Sequence, residues 1–320
     1  MSFQRPDLPA RLVAVVATHN RLAQIKTTIK RLLAEPVDRI VVVDNASTDG
    51  TQDWLRAQTE ARLHPVLMAA NLGGAGGFET GMRLAVDRYD PDWLVVMDDD
   101  ARPAPGALGR FLARDLAGDL EGVDALAAAV RYPDGRICEI NRPSRSPFRH
   151  KHLLLTTLLH GRMGFHLPDS AYRESTRAVD VASFVGLFLS RNAIRRAGYP
   201  DGQLFVYGED AIYTLGLTGQ GLHLQFDPGI RFQHDCRSFH GPARIYTPLW
   251  KVYYNYRNGL ILYRQTAGPL FFWPVLLVVL PKWLLNGRHY GPDKRRYYRL
   301  LGGAIRDGLR GLRHPRVTQT

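Results

Sequence analysis

Asp98-Asp99-Asp100 follows the apolar run Trp93–Met97, so three carboxylates emerge together from the end of a segment that reads as a buried strand. Clustered carboxylates repel one another and raise one another's pKa unless a cation neutralises them. Hard oxygen donors suit Mg2+ or Mn2+, and Mg2+ is commonly held by one or two carboxylates together with substrate phosphates. One of the three could cap a helix ahead of Pro103 and Pro105, but capping needs only one. A second acidic pair, Glu209-Asp210, stands between the strand-like run Leu204–Tyr207 and a helical pattern at Ala211–Gly219. Acids at that position also suit the positive end of a helix dipole. His234, inside Phe232-Gln-His-Asp-Cys236, offers an imidazole that beside carboxylates makes a sensible third protein ligand for Mn2+. Ser183 and Cys236 lack the neighbours that would activate them as covalent nucleophiles.

The elements that must position these groups alternate. Leu12–Thr18 is a valine-rich apolar run, and Arg21–Ala34 follows with Leu22, Ile25, Ile29, Leu32 and Leu33 at helical spacing. Ile40–Val43 and Trp93–Met97 repeat the apolar theme, with weaker candidates at Val66–Ala69 and Ala125–Val130. Strands alternating with helices predict a mainly parallel sheet covered on both faces, whose ligands bind beyond the carboxyl ends of the strands. The residues there are Thr18-His19-Asn20-Arg21, Asp44-Asn-Ala-Ser-Thr-Asp49-Gly50, Asn71-Leu-Gly-Gly-Ala-Gly-Gly77 and the aspartate triplet. Any one of them would pass for a turn. Four in succession mark a crevice.

In this order and spacing the series Thr18-x-Asn20-Arg21, Asp44 to Gly50, Asn71-x-Gly73-Gly74, Asp98-x-Asp100, Glu209-Asp210 and His234 resembles the family 2 glycosyltransferases over residues 11–240. The resemblance implies the GT-A fold, an α/β, doubly wound, mainly parallel, Rossmann-like sheet. Within the family the Asn71–Phe78 stretch, the acidic pair and the downstream histidine look most like bacterial galactofuranosyltransferases, with rhamnosyltransferases second. Position by position, the likeness puts Thr18, Asn20 and Arg21 at the nucleotide pocket and Asp44 on the base. Asn71 and Gly73 would admit the nucleotide close to the backbone, and Asp98 and Asp99 would contact the nucleotide sugar. Asp98, Asp100 and His234 would hold Mn2+ or Mg2+, Asp210 would be the general base of an inverting transfer, and Glu209 would orient acceptor hydroxyls or tune the base. Two departures bear on donor and acceptor identity. Family members often carry an arginine in the helix after the acidic pair, whereas Ile212–Gln220 has no basic residue; and Tyr207-Gly208 stands where many galactofuranosyl enzymes place a tryptophan.

These roles agree with elementary chemistry. A sugar leaving a nucleoside diphosphate develops positive charge at its anomeric carbon and negative charge on the diphosphate, which a cation stabilises. A carboxylate on the opposite side can take the proton of the acceptor hydroxyl. UDP-galactofuranose is the expected donor and dTDP-rhamnose the alternative, with a lipid-linked glycan or polysaccharide of the cell envelope as acceptor. A sugar nucleotidyltransferase would share the sheet and acids, but typically has a glycine-rich basic phosphate loop after its first strand. A non-catalytic membrane-associated module is the remaining alternative, and it would not need the acids at all.

Charge divides the chain. Residues 1–240 hold 28 basic and 28 acidic side chains, whereas residues 241–320 hold 14 basic and 2 acidic ones, so the whole net charge of +12 belongs to the tail. The expected organisation is therefore a catalytic domain over 1–240, with an insertion at about 134–178, and a helical basic extension over 241–320. That extension contains Tyr254-x-x-Arg257-Asn258, an element similar to one that follows the catalytic domain in the same enzymes, and Leu270–Leu280, the most apolar run in the chain. The run is short of the roughly 20 residues that span a bilayer. With Trp273, Trp283, Tyr290 and the basic residues beyond, it predicts a helical hairpin lying on an anionic membrane surface. Ordinary helical packing on the catalytic domain would account for the run as well. Nucleic acid as partner is not expected, because charge alone leaves the apolar run unexplained. Two cysteines and an N-terminus without an apolar leader predict a reduced, cytoplasmic setting on the inner face of the membrane and no export. The oligomeric state stays open.

Overall fold

The computed structural model describes residues 10–236 and 245–313. The first nine residues, on which the expectation of no export rests, the junction after residue 240 and basic Arg316 lie outside them. In chain order the elements are β1 (Leu12–Thr18), α1 (Leu22–Leu33), β2 (Arg39–Asp44), α2 (Thr51–Arg56), β3 (Leu63–Leu67), α3 (Gly73–Tyr89), β4 (Trp93–Asp98), β5 (Ala101–Pro103), α4 (Ala107–Leu116) and β6 (Ala125–Arg131). After these come α5 (Lys151–His160), β7 (Arg177–Ala178), β8 (Leu187–Ser190), α6 (Arg191–Ala197), α7 (Glu209–Gly219), β9 (Leu224–His234), α8 (Lys251–Asn286) and α9 (Lys294–Leu309).

Among the described residues one sheet of nine strands runs β3-β2-β1-β4-β8-β6-β9-β5, with β7 paired on β9. Strands β1 to β4 pair in parallel, as expected of buried valine-rich runs joined by helices. Beyond β4 the sheet is mixed: β8 is antiparallel to both β4 and β6, while β6 and β9 are parallel. Both faces are covered. Val13, Val15 and Ala17 of β1 belong to one core, and Leu12, Ala14 and Val16 to the core on the other side. On α1 the buried stripe is Ile25, Ile29 and Leu32, at the spacing a single helix face requires. Helix α3 lies tight on β1 and β2 because Gly81 leaves room: a Cβ there would stand 2.5 Å from Val15 and 2.8 Å from Val43.

Two expectations are corrected. The third strand is Leu63–Leu67 rather than Val66–Ala69, and it accommodates Pro65 because β3 is an edge strand. Leu204–Tyr207 is not a strand: a short turn at Gly202–Leu204 leads into a loop in which Phe205 and Tyr207 have φ of 68° and 69°. The tail forms helices as expected. Helix α8 bends at Gly268, whose φ of 65° breaks the helical path, and α9 packs back against it.

Candidate active site

The aspartate triplet sits where β4 ends and β5 begins. Strand β5 pairs antiparallel with β9 in the register Ala101 to His234, and this pairing delivers the histidine to the acids. His234 Nε2 lies 3.0 Å from Asp100 Oδ1 and its Nδ1 lies 2.7 Å from Asn141 Oδ1. With a single proton, on Nδ1 and donated to Asn141, the ring would turn the Nε2 lone pair to the acids; charged, it donates from Nε2 to Asp100 as well. One donor atom from each of Asp98, Asp100 and His234 falls within 4.8 Å of the others. Thr18 Oγ1 donates to Asp99 Oδ2 at 2.7 Å, and Arg21 forms ion pairs with Asp99 and Asp100.

Burial, with the neighbouring carboxylates, pushes Asp98 up to about 7, and burial does the same for Asp99. Burial would raise Asp100 too, but the hydrogen bond from His234 and the charges of His234 and Arg21 hold it down at about 2. Burial opposes charging of His234, and its contacts with Asp100 and Cys138 prevail, raising it to about 10. Protons and one guanidinium thus balance the negative charge of the pocket. A divalent cation would do the same, and two carboxylates with an imidazole whose far nitrogen is already held are a chemically suitable set for Mn2+.

Glu209 and Asp210 open α7. Asp210 Oδ1 accepts from the Ala211 amide at 2.7 Å, while Glu209 Oε2 is buried with no partner. Burial raises both carboxyls, the charge of Asp210 adds to the rise at Asp98, and that of Asp98 adds to the rise at Glu209. The loop before them is gripped from two sides. Gly73, with φ of 72°, lies so near Phe205 that a Cβ would stand 2.1 Å from its carbonyl oxygen, and the Ala75 amide donates to that same oxygen at 3.1 Å. On the other side Arg257 and Asn258, both buried, donate to the carbonyls of Leu204, Val206 and Tyr207.

The loops after β1 and β2 form the third part. Asn20, with φ of 53°, accepts from the Thr48 amide at 2.7 Å, and its own amide donates to Ser47. Asp44 is fully buried: Oδ2 accepts from the Ser47 amide and from Gln52, and Oδ1 has no partner. Asn71 accepts from the Gly73 amide in a local turn. Of the residues expected at the nucleotide, Asn20 and Asp44 lie together here, whereas the Thr18 hydroxyl and Arg21 are engaged with the acids. A surface cavity of about 510 Å3 on another flank of α7, lined by Tyr199, Ile212, Arg264 and Gln265, contains none of these groups.

Residues 13–166 match the family model described as glycosyl transferase family 2. An undecaprenyl-phosphate mannosyltransferase of Micrococcus luteus is 31% identical over 182 residues, 53% of this chain and 70% of the relative. The chain belongs to glycosyl transferase family 2. Galactofuranosyltransferase GlfT1 of Mycolicibacterium smegmatis is 26% identical to this family 2 enzyme over 295 residues, 88% of this chain and 90% of the relative. The mannosyltransferase PcManGT from Pyrobaculum calidifontis, solved with GDP-Man and Mn2+, superposes with a TM-score of 0.53 at 18% identity, over 96% of this chain and 76% of that one. The fold is the expected GT-A fold.

Several residues of this glycosyltransferase escape a reading of its sequence. Asn141 lies in the segment read as an insertion, yet it holds His234 and accepts from Cys138 Sγ at 3.0 Å. Gln52 supports Asp44. Lys251, at the start of α8, is lowered by burial and by the charge of Arg21, which places a second cation near that arginine. Only the Asp44–Gln52 pair carries a local signal, a polar residue in the first turn of the helix after the loop; the others arrive from distant parts of the chain.

Proposed function

We propose that this enzyme catalyses a metal-dependent, inverting transfer of galactofuranose from UDP-galactofuranose to a lipid-linked or polysaccharide acceptor. The observation that carries the reading is the convergence of Asp98, Asp100 and His234 within 4.8 Å, beside Glu209 and Asp210 at the head of α7. Asp98, Asp100 and His234 would hold Mn2+ or Mg2+, which when bound neutralises charge on the departing diphosphate. Asp44 Oδ1, buried and unpartnered, would accept from the base, with Asn20 and Asn71 shaping the loops around it and Gly73 keeping the backbone close. Thr18 fixes Asp99 in place, and Arg21 and Lys251 stand ready for the diphosphate.

Asp210 takes the proton of the acceptor hydroxyl as that oxygen attacks the anomeric carbon from the side opposite the diphosphate, so configuration inverts. Burial raises its pKa, which suits a base acting near neutral pH. Glu209 orients acceptor hydroxyls. The sugar assignment leans on the likeness to GlfT1 along most of the chain, and the lipid-linked acceptor also on the likeness to the undecaprenyl-phosphate enzyme.

The setting follows from α8. Lys251–Leu309 contains one stretch apolar and long enough to cross a membrane by composition. Leu270, Trp273 and Leu277 are 75%, 62% and 79% exposed, whereas Phe272 and Leu276 are buried against Leu260 and Arg264. A helix bound to its domain along one side presents the other to a surface, so we read α8 as lying on the cytoplasmic face of an anionic membrane rather than crossing it.

Incubation with UDP-galactofuranose, dTDP-rhamnose, GDP-mannose and UDP-glucose, with and without Mn2+ or Mg2+, tests the reading. The expected result is cation-dependent consumption of UDP-galactofuranose and transfer to a polyprenyl-linked glycan, seen by mass spectrometry. Consumption of another donor in its place would overturn the sugar assignment, and cation-independent turnover would overturn the metal.

A further inference from the structure

His234 has two ring nitrogens, and only Nε2 serves the acids. Nδ1 faces Asn141 Oδ1 at 2.7 Å and Cys138 Sγ at 4.0 Å, and Cys138 Sγ lies 3.0 Å from Asn141 Oδ1. Cys236 completes the group: one donor atom from each of Cys138, His234 and Cys236 lies within 4.8 Å of the others. These are the chain's two cysteines, drawn from different segments. Cys138 follows β6 and is tied back to it by its amide on the Val130 carbonyl, and Cys236 stands two residues past His234, just beyond the end of β9.

We propose that Cys138, Cys236 and His234 Nδ1, with Asn141 Oδ1 as fourth donor, form a site for a soft divalent cation such as Zn2+, and that this site excludes the cation held by Asp98 and Asp100. Thiolate and imidazole are the donors that Zn2+ takes, in tetrahedral sites whose donors stand about 3.3 to 3.8 Å apart at ordinary bond lengths. Cys138 Sγ, His234 Nδ1 and Asn141 Oδ1 stand 2.7 to 4.0 Å apart, and a donor atom of Cys236 comes within 4.8 Å of those of Cys138 and His234. Binding displaces the proton of each thiol and the Nδ1 proton of the charged imidazole as Zn2+ enters, while Nε2 keeps its own.

The exclusion follows from the imidazole itself. A neutral ring has one lone-pair nitrogen. Held by the acids' cation, it carries its proton on Nδ1 and gives it to Asn141. Held by the thiol site, it carries its proton on Nε2 and gives it to Asp100, removing a ligand from the other cation. Zinc would therefore inhibit by changing the tautomer of a shared histidine.

Cobalt titration of the full-length protein tests the site, because Co2+ bound to thiolate absorbs in the near ultraviolet by charge transfer. One equivalent of Co2+ should produce that band in the wild type and in Asp98→Asn, and neither Cys138→Ser nor Cys236→Ser should show it. Its absence from the wild type overturns the site whatever the variants do, as does a band that survives both cysteine substitutions. Zinc at saturation should then weaken Mn2+ binding, followed by electron paramagnetic resonance, by about tenfold or more. This second arm rests on the reading of Asp98, Asp100 and His234 as metal ligands. A thiolate band with unchanged Mn2+ affinity overturns the exclusion, and a band in a protein that binds no Mn2+ overturns the proposed function and leaves the thiol site standing.

Discussion

Asn258 donates through Nδ2 to the carbonyls of Val206 and Tyr207, each at 2.8 Å, so that helix α8 grips the loop that ends in the acidic pair. The loop needs the grip. Phe205 and Tyr207 hold left-handed backbone angles that non-glycine residues adopt at a cost, and such strain persists only where neighbours impose it. Asn258→Ala would leave buried carbonyls without donors, a loss of about 1–3 kcal/mol. Transfer should slow while the dissociation constant for the nucleotide sugar stays within a few-fold of the wild type. Steady-state kinetics with calorimetric donor binding checks this. Equal losses in both would mean that Asn258 merely holds the fold.

Asn141 supports the proposed metal site at one remove. Asn141→Leu deprives His234 Nδ1 of its acceptor and should lower Mn2+ affinity about 10–100-fold. Titration followed by paramagnetic resonance gives the number. Unchanged affinity would show that the tautomer is fixed some other way.

Glu209 links stability to pH. Burial raises its pKa in the folded protein, so its contribution is complete below the unfolded value and is lost as pH rises through the folded value. Glu209→Gln keeps the shape and removes the ionisation. In metal-free protein its melting temperature, relative to the wild type, should rise with pH above the ordinary carboxylate range and level off past the folded midpoint, each unit between the unfolded and folded midpoints being worth about 1.4 kcal/mol. Thermal melts across a pH series test the sign. A difference independent of pH would contradict the burial of an ionisable pair here.

How much of this was legible depends on where the cause lies. Strand β1 and the alternation after it follow from unbroken apolar runs, and the acids were visible because they stand at the strand ends where a parallel sheet opens. The Leu204–Tyr207 loop misled because its apolar residues are buried by α3 and α8 instead of by strand pairing, while Asn258 takes the carbonyls that a ladder would have used. Asn141 and Cys138 were hidden in a segment without periodicity: each is held by a few specific contacts with β9, and no spacing rule encodes those. The Arg257-Asn258 motif was noticed, but its target lies some fifty positions upstream, beyond any local pattern.

The exposed side of α8 carries the membrane reading. Truncation after residue 268 would strip Phe272, Leu276, Tyr297 and Leu301 from the packed interior. Replacing exposed Leu270, Leu277 and Leu285 by glutamine avoids that and should change stability by no more than about 0.5 kcal/mol at each site. The wild type should sediment with vesicles containing anionic lipid and the triple variant should stay in solution. Equal sedimentation of the two would remove α8 from the membrane contact.

Asp210→Asn tests the central claim most directly. With UDP-galactofuranose, Mn2+ and a lipid-linked acceptor, the variant should bind donor as the wild type does and lose transfer by about a hundredfold to ten-thousandfold. Transfer at the wild-type rate, with the product still inverted, would contradict the assignment of Asp210 as the base.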